Sequence, residues 1–480
     1  MRALLRFALP PIATLVAVAS CAELFEEPAL CKFERDCERI GDATCDHARG
    51  VCVPKSAFEA GADGPIGPGS QPDAEADAPD VPDRCKVSPK PTETVPTTAV
   101  AAAAAAGPDG EITTNVTLDC GKDWLLKGRV IVRAGATLTI EPGTTIRVEK
   151  ASAGGLVIMP GAKIVAAGQR NAPIVFTSAE ATPAPGDWRG VYVLGVAPPT
   201  QPAFQGDPLL ASGGVNAEDD SGTLSYVRIE YGAIGLVFAS VGRRTKVDYV
   251  QVRKTTDNCF WFYGGTVDAK HLVCQYPLDE YYEFERGYAG RVQFLFGQKT
   301  PLALNGRNGV LSDNASPVVY NATLCGDDQA NLGYGLVPRN GTNLDLANAI
   351  LTGWYAGIDT VGALGTIEAR SSIAFGNATN PAYAEDPAQM TTTDPTFNDD
   401  QGFDEIAWFR DPARGNRETD PGLVGCYDPK APKPWPAAAL TAGARTPPND
   451  GFFDTTAAYV GAFRDGTDDW LSGWARFDDQ

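Results

Sequence analysis

Gly128-Arg-Val-Ile-Val-Arg-Ala-Gly-Ala-Thr-Leu-Thr-Ile-Glu-Pro-Gly-Thr-Thr-Ile146 is the stretch on which the fold turns. Short alternating runs rich in β-branched residues are separated by glycine-containing turns, which predicts strands rather than helices. The string Pro142-Gly143-Thr-Thr-Ile146 returns as Pro160-Gly161-Ala-Lys-Ile164, 18 residues on. Tyr226-Val-Arg-Ile229, Tyr249-Val-Gln-Val252 and His271-Leu-Val-Cys274 begin 23 and 22 residues apart. Phe294-Leu-Phe296, Asn321-Ala-Thr-Leu324, Asn348-Ala-Ile-Leu351 and Ser371-Ser-Ile-Ala374 continue the series after longer insertions. A short repeating period of strand and turn marks a solenoid whose coils pair at about 4.8 Å. The expected fold is all-β: a parallel β-helix over 128–445, an N-terminal cap over 85–127 and an aromatic C-terminal cap over 446–480. Phe452, Phe453, Tyr459, Phe463, Trp470 and Trp474 are suited to covering the last coil, whose open strand edges invite aggregation. Stacking on carbohydrate is the other reading of these aromatics.

Several longer strings follow one another in order. Gly186-Asp-Trp-Arg-Gly-Val-Tyr-Val-Leu-Gly-Val-Ala197 precedes Leu224-Ser-Tyr-Val-Arg-Ile-Glu-Tyr-Gly232, and Gly264-Gly-Thr-Val-Asp-Ala-Lys-His-Leu-Val273 precedes Gly287-Tyr-Ala-Gly-Arg-Val-Gln-Phe294. The chain closes with Tyr459-Val-Gly-Ala-Phe463 and Trp470-Leu-Ser-Gly-Trp474. From about Cys120 onward this resembles a family of right-handed β-helix surface lipoproteins of bacteria, uncharacterised in activity. The resemblance implies a right-handed coil and carries over no catalytic residue.

The N-terminus reads as an export signal over 1–20. Arg2 and Arg6 precede an apolar run, Phe7 to Ala19, too short to span a bilayer. Val18-Ala19-Ser20-Cys21 resembles a lipobox, which implies that Cys21 is acylated and becomes the mature N-terminus. Ala22, where an aspartate would retain the protein at the inner membrane, implies the outer membrane, on its periplasmic or cell-surface face. The chain has 11 cysteines, and one spent on lipid leaves an even number. Cys31, Cys37, Cys45 and Cys52 lie in a polar segment, 21–55, too short for a core, which disulfides would staple. Zinc is the alternative, but no C-x-x-C pair is present. The remaining six are expected to pair as Cys85–Cys120, Cys259–Cys274 and Cys325–Cys426, a connectivity that spacing alone does not determine. Between them, 56–84 is an Ala/Pro/Gly/acidic linker that cannot offset its own ordering entropy.

The net charge of -20 makes nucleic acid an improbable partner. Two histidines, His47 and His271, argue against a histidine triad or a multi-histidine metal site. No nucleophile elbow or phosphate loop is present. The most suggestive constellation is Asp257-Asn258-Cys259-Phe-Trp-Phe-Tyr263 with Asp279-Glu280-Tyr-Tyr-Glu283-Phe-Glu285-Arg286. Asp257 and Asp279 stand 22 positions apart, one coil, as do Asn258 and Glu280. Stacked carboxylates repel, raising a pKa or recruiting a cation. Oxygen donors from Asp257, Asp279, Glu280 and Glu283 suit calcium. Arg286 and Arg291 are the cations that neutralise the charge instead. Trp261, Tyr263, Tyr281 and Tyr282 offer flat faces to sugar rings.

Three readings stand at this point. The cluster is a structural rim, a non-catalytic site for calcium or glycan, or a polysaccharide-cleaving site in which Asp257, Asp279, Glu280 and Arg286 carry the chemistry. The Asn-Thr-Asp, Gly-His-Gly and Arg-Ile-Lys strings of polysaccharide-cleaving β-helix enzymes are missing, and fold alone is no warrant for activity. The favoured expectation is a lipid-anchored adhesion or binding scaffold whose partners are the membrane and a polysaccharide or surface protein.

Overall fold

The computed structural model describes residues 43–46, 51–54, 81–99, 109–201, 210–299, 308–327, 333–382 and 402–477. Cys21, Cys31, Cys37, His47, the export signal and the linker up to residue 80 lie outside them. The chain forms two units, Met1–Ala76 and Asp77–Gln480. In the first, Ala43–Asp46 pairs antiparallel with Val51–Pro54, with Cys45 opposite Cys52.

The second unit is a right-handed parallel β-helix. Its chain alternates between an 11-stranded and a 15-stranded sheet. In the first sheet Arg129–Val132, Gly155–Ile158, Val191–Leu194, Leu236–Val241, Phe260–Gly265, Tyr282–Glu285, Asn308–Asp313 and Tyr334–Arg339 stack in parallel. Between them come the strands of the second sheet. Early coils use two short strands there, such as Thr137–Ile140 and Thr145–Val148. Later coils fuse them into one bent strand: Gly222–Glu230, Lys246–Arg253, Asp268–Gln275, Arg291–Gln298, Val318–Cys325 and Asp345–Thr352.

The bend is a single residue of positive φ in each coil. These are Tyr226 (49°), Tyr249 (53°), His271 (48°), Phe294 (63°), Asn321 (58°) and Asn348 (56°), and Ser371 (52°) follows in the last coil. Each is the first residue of a repeated string read from the sequence. The period visible in the sequence is therefore the corner of the coil.

Alternation fills the interior. Leu138, Ile140, Ile146, Val148, Ile164 and Ile174 all join one core. In the middle coils that core becomes aromatic, with Phe238, Phe262 and Phe284 in a column at 5.3 and 5.0 Å. Phe260 stacks on Tyr282 at 5.3 Å. Each fully buried side chain of this size contributes roughly 1.5–3 kcal/mol. Gly222, at φ +113°, admits no side chain, because a Cβ would meet the carbonyl oxygen of Ile164 at 1.9 Å. Disulfides join Cys85–Cys120, Cys259–Cys274 and Cys325–Cys426.

The ends differ from expectation. Pairing begins before residue 128: Gly110–Ile112, Val116–Leu118 and Asp123–Leu126 already sit in the sheets. Residues 81–84, assigned to the linker by composition, belong to this unit, with Arg84 paired to Glu141 at 2.9 Å. The last described coil strands end at Phe375, and 423–436 holds an antiparallel pair instead of further coil. A short helix, Glu405–Phe409, closes that end. Asp404 caps it, accepting from the Ala407 N–H at 2.8 Å, while Phe403, Ile406, Trp408 and Phe409 pack on the core. The aromatics of 446–480 do not cover the last coil. They run along the flank, where Trp470 and Trp474 meet Tyr226, Tyr249 and His271 edge to face. The corner column offers them ring faces, and the coil end is already occupied.

Candidate functional site

The strand Tyr282–Glu285 lies against Phe260–Gly265 in a register that pairs Phe260 with Tyr282, Trp261 with Glu283, Phe262 with Phe284 and Tyr263 with Glu285. A strand turns successive side chains to opposite faces. Phe260, Phe262, Tyr282 and Phe284 enter the core, so Trp261, Tyr263, Glu283 and Glu285 point outward. The outer face also carries a separate apolar cluster of Ile131, Val157, Leu194, Val237, Ala239 and Tyr263. At its N-terminal end a shallow cavity is lined by Arg129, Gly155, Val157, Arg189, Tyr192 and Leu210.

Register brings the turn residues together as the 22-residue spacing requires. The Cys259 N–H donates to the Glu280 carbonyl, and the Glu280 N–H donates to Asn258 Oδ1 at 3.1 Å. In the next coil Asn308 Nδ2 donates to Glu280 Oε1 at 3.0 Å. The result is an Asn258–Glu280–Asn308 ladder at the mouth of the strands. Asp257 accepts from the Asn258 N–H at 2.8 Å.

Two of the expected aromatics leave the site. Tyr281 is fully buried, donates to the Cys325 carbonyl at 2.7 Å and packs on Trp354. Tyr282 is fully buried, and its one hydroxyl hydrogen is shared between the carbonyls of Leu272 (2.8 Å) and Phe296 (2.7 Å). Both are core residues whose hydroxyls satisfy strand carbonyls, so neither has a face for sugar. Trp261 remains, half-buried; Tyr263 meets it edge to face at 5.9 Å but is itself buried in the apolar cluster, with Arg286 over its ring at 6.0 Å. Arg286 sits at φ 55°, contacts Glu285 at 3.7 Å and donates to Gln201 at 2.7 Å. Arg291 is elsewhere, paired with Asp268 and with Asp450.

The outward carboxyls are buried and closely bonded. Glu283 accepts from Asn258 Nδ2, and Glu285 accepts from Trp261 Nε1 at 3.0 Å. Asp313, the next residue in the Tyr263–Glu285 row, accepts from Arg339 at 2.9 Å and Asn340 at 3.1 Å. Burial, followed by the charge of Glu285, pushes Glu283 up to about 8. Burial raises Glu285 as well, against the pull of Arg286. Glu280 is raised by burial and by a hydrogen bond with Asp279, and Asp257 by burial and the charge of Asp279. The alternation in Tyr282–Glu285 already carried the signal for Glu285; Asn308, Asp313 and Arg339 had none, because irregular insertions separate their coils.

For calcium, Asp257, Asp279, Glu280 and Glu283 would need to converge. Among the described residues the one trio of metal-capable side chains with ligand atoms within 4.8 Å is Cys85, Cys120 and Glu141. Two of those are the halves of a disulfide. At the outer face the carboxyl oxygens of Glu283, Glu285 and Asp313 are engaged by Asn258, Trp261, Arg339 and Asn340.

The model of the pectate-lyase-like β-helix domain matches residues 110–401. No curated protein and no solved structure matches the chain. The matched span begins at the strand Gly110–Ile112 and covers more than half of the 480 residues. The chain belongs to the pectate-lyase-like β-helix domain family.

Proposed function

We propose that this is a lipid-anchored cell-envelope protein, held in the outer membrane through Cys21, that binds glycan without cleaving it on the outer face of the 11-stranded sheet. The observation that carries the reading is the makeup of that face. Trp261 turns outward, half-buried, beside Glu285, and Tyr192 lies with Arg129 and Arg189 at the N-terminal end. Aromatic faces with a few fixed polar groups are what a saccharide ring requires. The carboxyls beside them are engaged internally, which favours a rim that shapes the site over a pair that reacts.

One observation favours the second reading, a polysaccharide-degrading enzyme. Glu283 retains its proton near neutral pH and stands two positions from Glu285 on one strand, and a proton-bearing carboxyl beside another is what general-acid cleavage of a glycosidic bond uses. The test is a panel of acidic and neutral polysaccharides offered to the full chain carrying Cys21→Ser, with and without calcium, reading retention and new chain ends together. Retention of intact glycan that Trp261→Ala abolishes supports binding. New reducing or unsaturated ends that Glu283→Gln abolishes would make the protein an enzyme. Incorporation of an alkyne fatty acid into the wild-type chain, lost in Cys21→Ser, tests the anchor.

A further inference from the structure

One row on the outer face of the 11-stranded sheet differs from the rows beside it. Register places Ile131, Val157, Tyr192, Val237, Trp261 and Glu283 in line, one residue per coil. On the same strands Val191, Val193, Leu236, Phe238, Phe260 and Phe262 enter the core, so the row turns outward. Ile131, Val157 and Val237 are buried, whereas Tyr192 and Trp261 are half-buried and keep surface. Val237 is the one residue between the two aromatics. Coils repeat at about 4.8 Å, so the two rings rise from points roughly 9.6 Å apart along the axis of the coil.

Both rings are held by their surroundings. Trp261 donates its indole N–H to Glu285 at 3.0 Å. Tyr192 and Leu210 pack on the apolar cluster, and both border the shallow cavity with Arg129 and Arg189. Arg189 is exposed, and its Nε donates to the Ala153 carbonyl at 3.0 Å. The neighbouring row offers no second track. Leu194 and Ala239 are buried there, and Tyr263 lies under Arg286, which is tied to Gln201 at 2.7 Å.

A hexose stacks its apolar C–H face on an aromatic ring. Two aromatics in one row can serve one chain only where its hexoses present the same face at the same spacing. In a chain joined 1,4 through two equatorial bonds, each hexose is turned over relative to the one before it. Alternate hexoses then present the same face, the chain is straight, and such a pair spans nearly the distance of two coils. A 1,4 chain with an axial bond, or a 1,3-linked chain, curves and carries the second hexose off the row.

We propose that this row binds a straight β-1,4-linked hexose chain lying along the axis of the coil, with Tyr192 and Trp261 under two hexoses and a third crossing Val237 between them. This rests on the glycan-binding reading above and adds the linkage and the direction of the chain.

The test is calorimetric titration of the full chain carrying Cys21→Ser with hexasaccharides that differ in linkage. Cello-, manno- and chitohexaose are β-1,4, maltohexaose is α-1,4 and laminarihexaose is β-1,3. At least one β-1,4 chain is expected to bind at least about tenfold more tightly than maltohexaose and laminarihexaose. Along its length series the gain is expected at three sugars, the shortest chain that puts a hexose over each ring. Tyr192→Ala and Trp261→Ala are each expected to remove that gain, and Tyr192→Phe to keep it. Equal binding of the linkages, or preference for a curved one, would overturn the proposal and leave glycan binding standing. So would an affinity that does not change between two sugars and three, a comparison that needs no variant to fold. Binding of none of the hexasaccharides, where the polysaccharide panel shows retention, would also sink the proposal alone; silence in both would remove the glycan reading with it.

Discussion

Two flanks of the same coils carry stacked side chains, and they behave oppositely. At the corner Tyr226, Tyr249, His271 and Phe294 stack at 4.5, 4.2 and 4.7 Å, and Gln293 donates to Asn321 at 3.1 Å in continuation. On the outer face of the other sheet, carboxyls gather in neighbouring rows and turns: Asp257 with Asp279, Glu283 beside Glu285, and Asp313 next to Glu285. A coil brings equivalent positions about 4.8 Å apart whatever occupies them. Rings gain roughly 0.5–1.5 kcal/mol per pair and amides bond to one another. Carboxylates repel and retain protons. The repeat amplifies the chemistry it is given.

The largest effect expected from breaking the favourable stack is at Tyr249, which touches a ring on either side and both Trp470 and Trp474. Tyr249→Ala is expected to cost about 3–4 kcal/mol in chemical denaturation. Tyr249→Asn is expected to recover part of that, because asparagine tolerates the left-handed conformation at φ 53°.

The unfavourable flank is probed by pH. Glu283 binds its proton up to about 8 when folded and releases it near 4.5 when unfolded. The folded state therefore holds the extra proton between those values, and stability falls as pH rises through that window, then levels. The slope is at most about 1.4 kcal/mol per pH unit across that window. Glu283→Gln should flatten the curve and leave the protein at least as stable above pH 8; an unchanged curve would mean that the carboxyl is ionised throughout.

Asn348 donates to the Arg445 carbonyl and accepts from the Arg445 N–H, each at 2.8 Å, so Asn348→Ala is expected to cost about 1–2 kcal/mol, with faster amide exchange confined to 444–461. Smallest is Tyr282→Phe, expected to cost about 1 kcal/mol through its lost bonds to Leu272 and Phe296. Glycan retention should be unaffected by it, whereas Trp261→Ala should reduce retention. A loss in both would show that the buried tyrosine does serve the ligand.

The coil was legible because its period is local. Tyr226, Tyr249 and His271 announce themselves by spacing, since a corner of positive φ must return once per turn. The same spacing placed Asn258 under Glu280. It does not tell inward from outward in Asp279–Arg286, where it offers Tyr281 and Tyr282 as ligand faces. Two tyrosines in succession break strict alternation, and the structure resolves the break by turning Tyr281 inward at the turn and Tyr282 inward on the strand.

The sequence by itself determined the strands, the corner residues and the length of a coil, because these depend on neighbours within about 25 positions of one another. Only the tertiary structure decided what lies on each flank. Nothing local in Trp470 or Trp474 distinguishes the end of a coil from its side, and nothing local in Glu283 gives its proton affinity. Both depend on groups far away in the chain that the coil brings within a few ångströms.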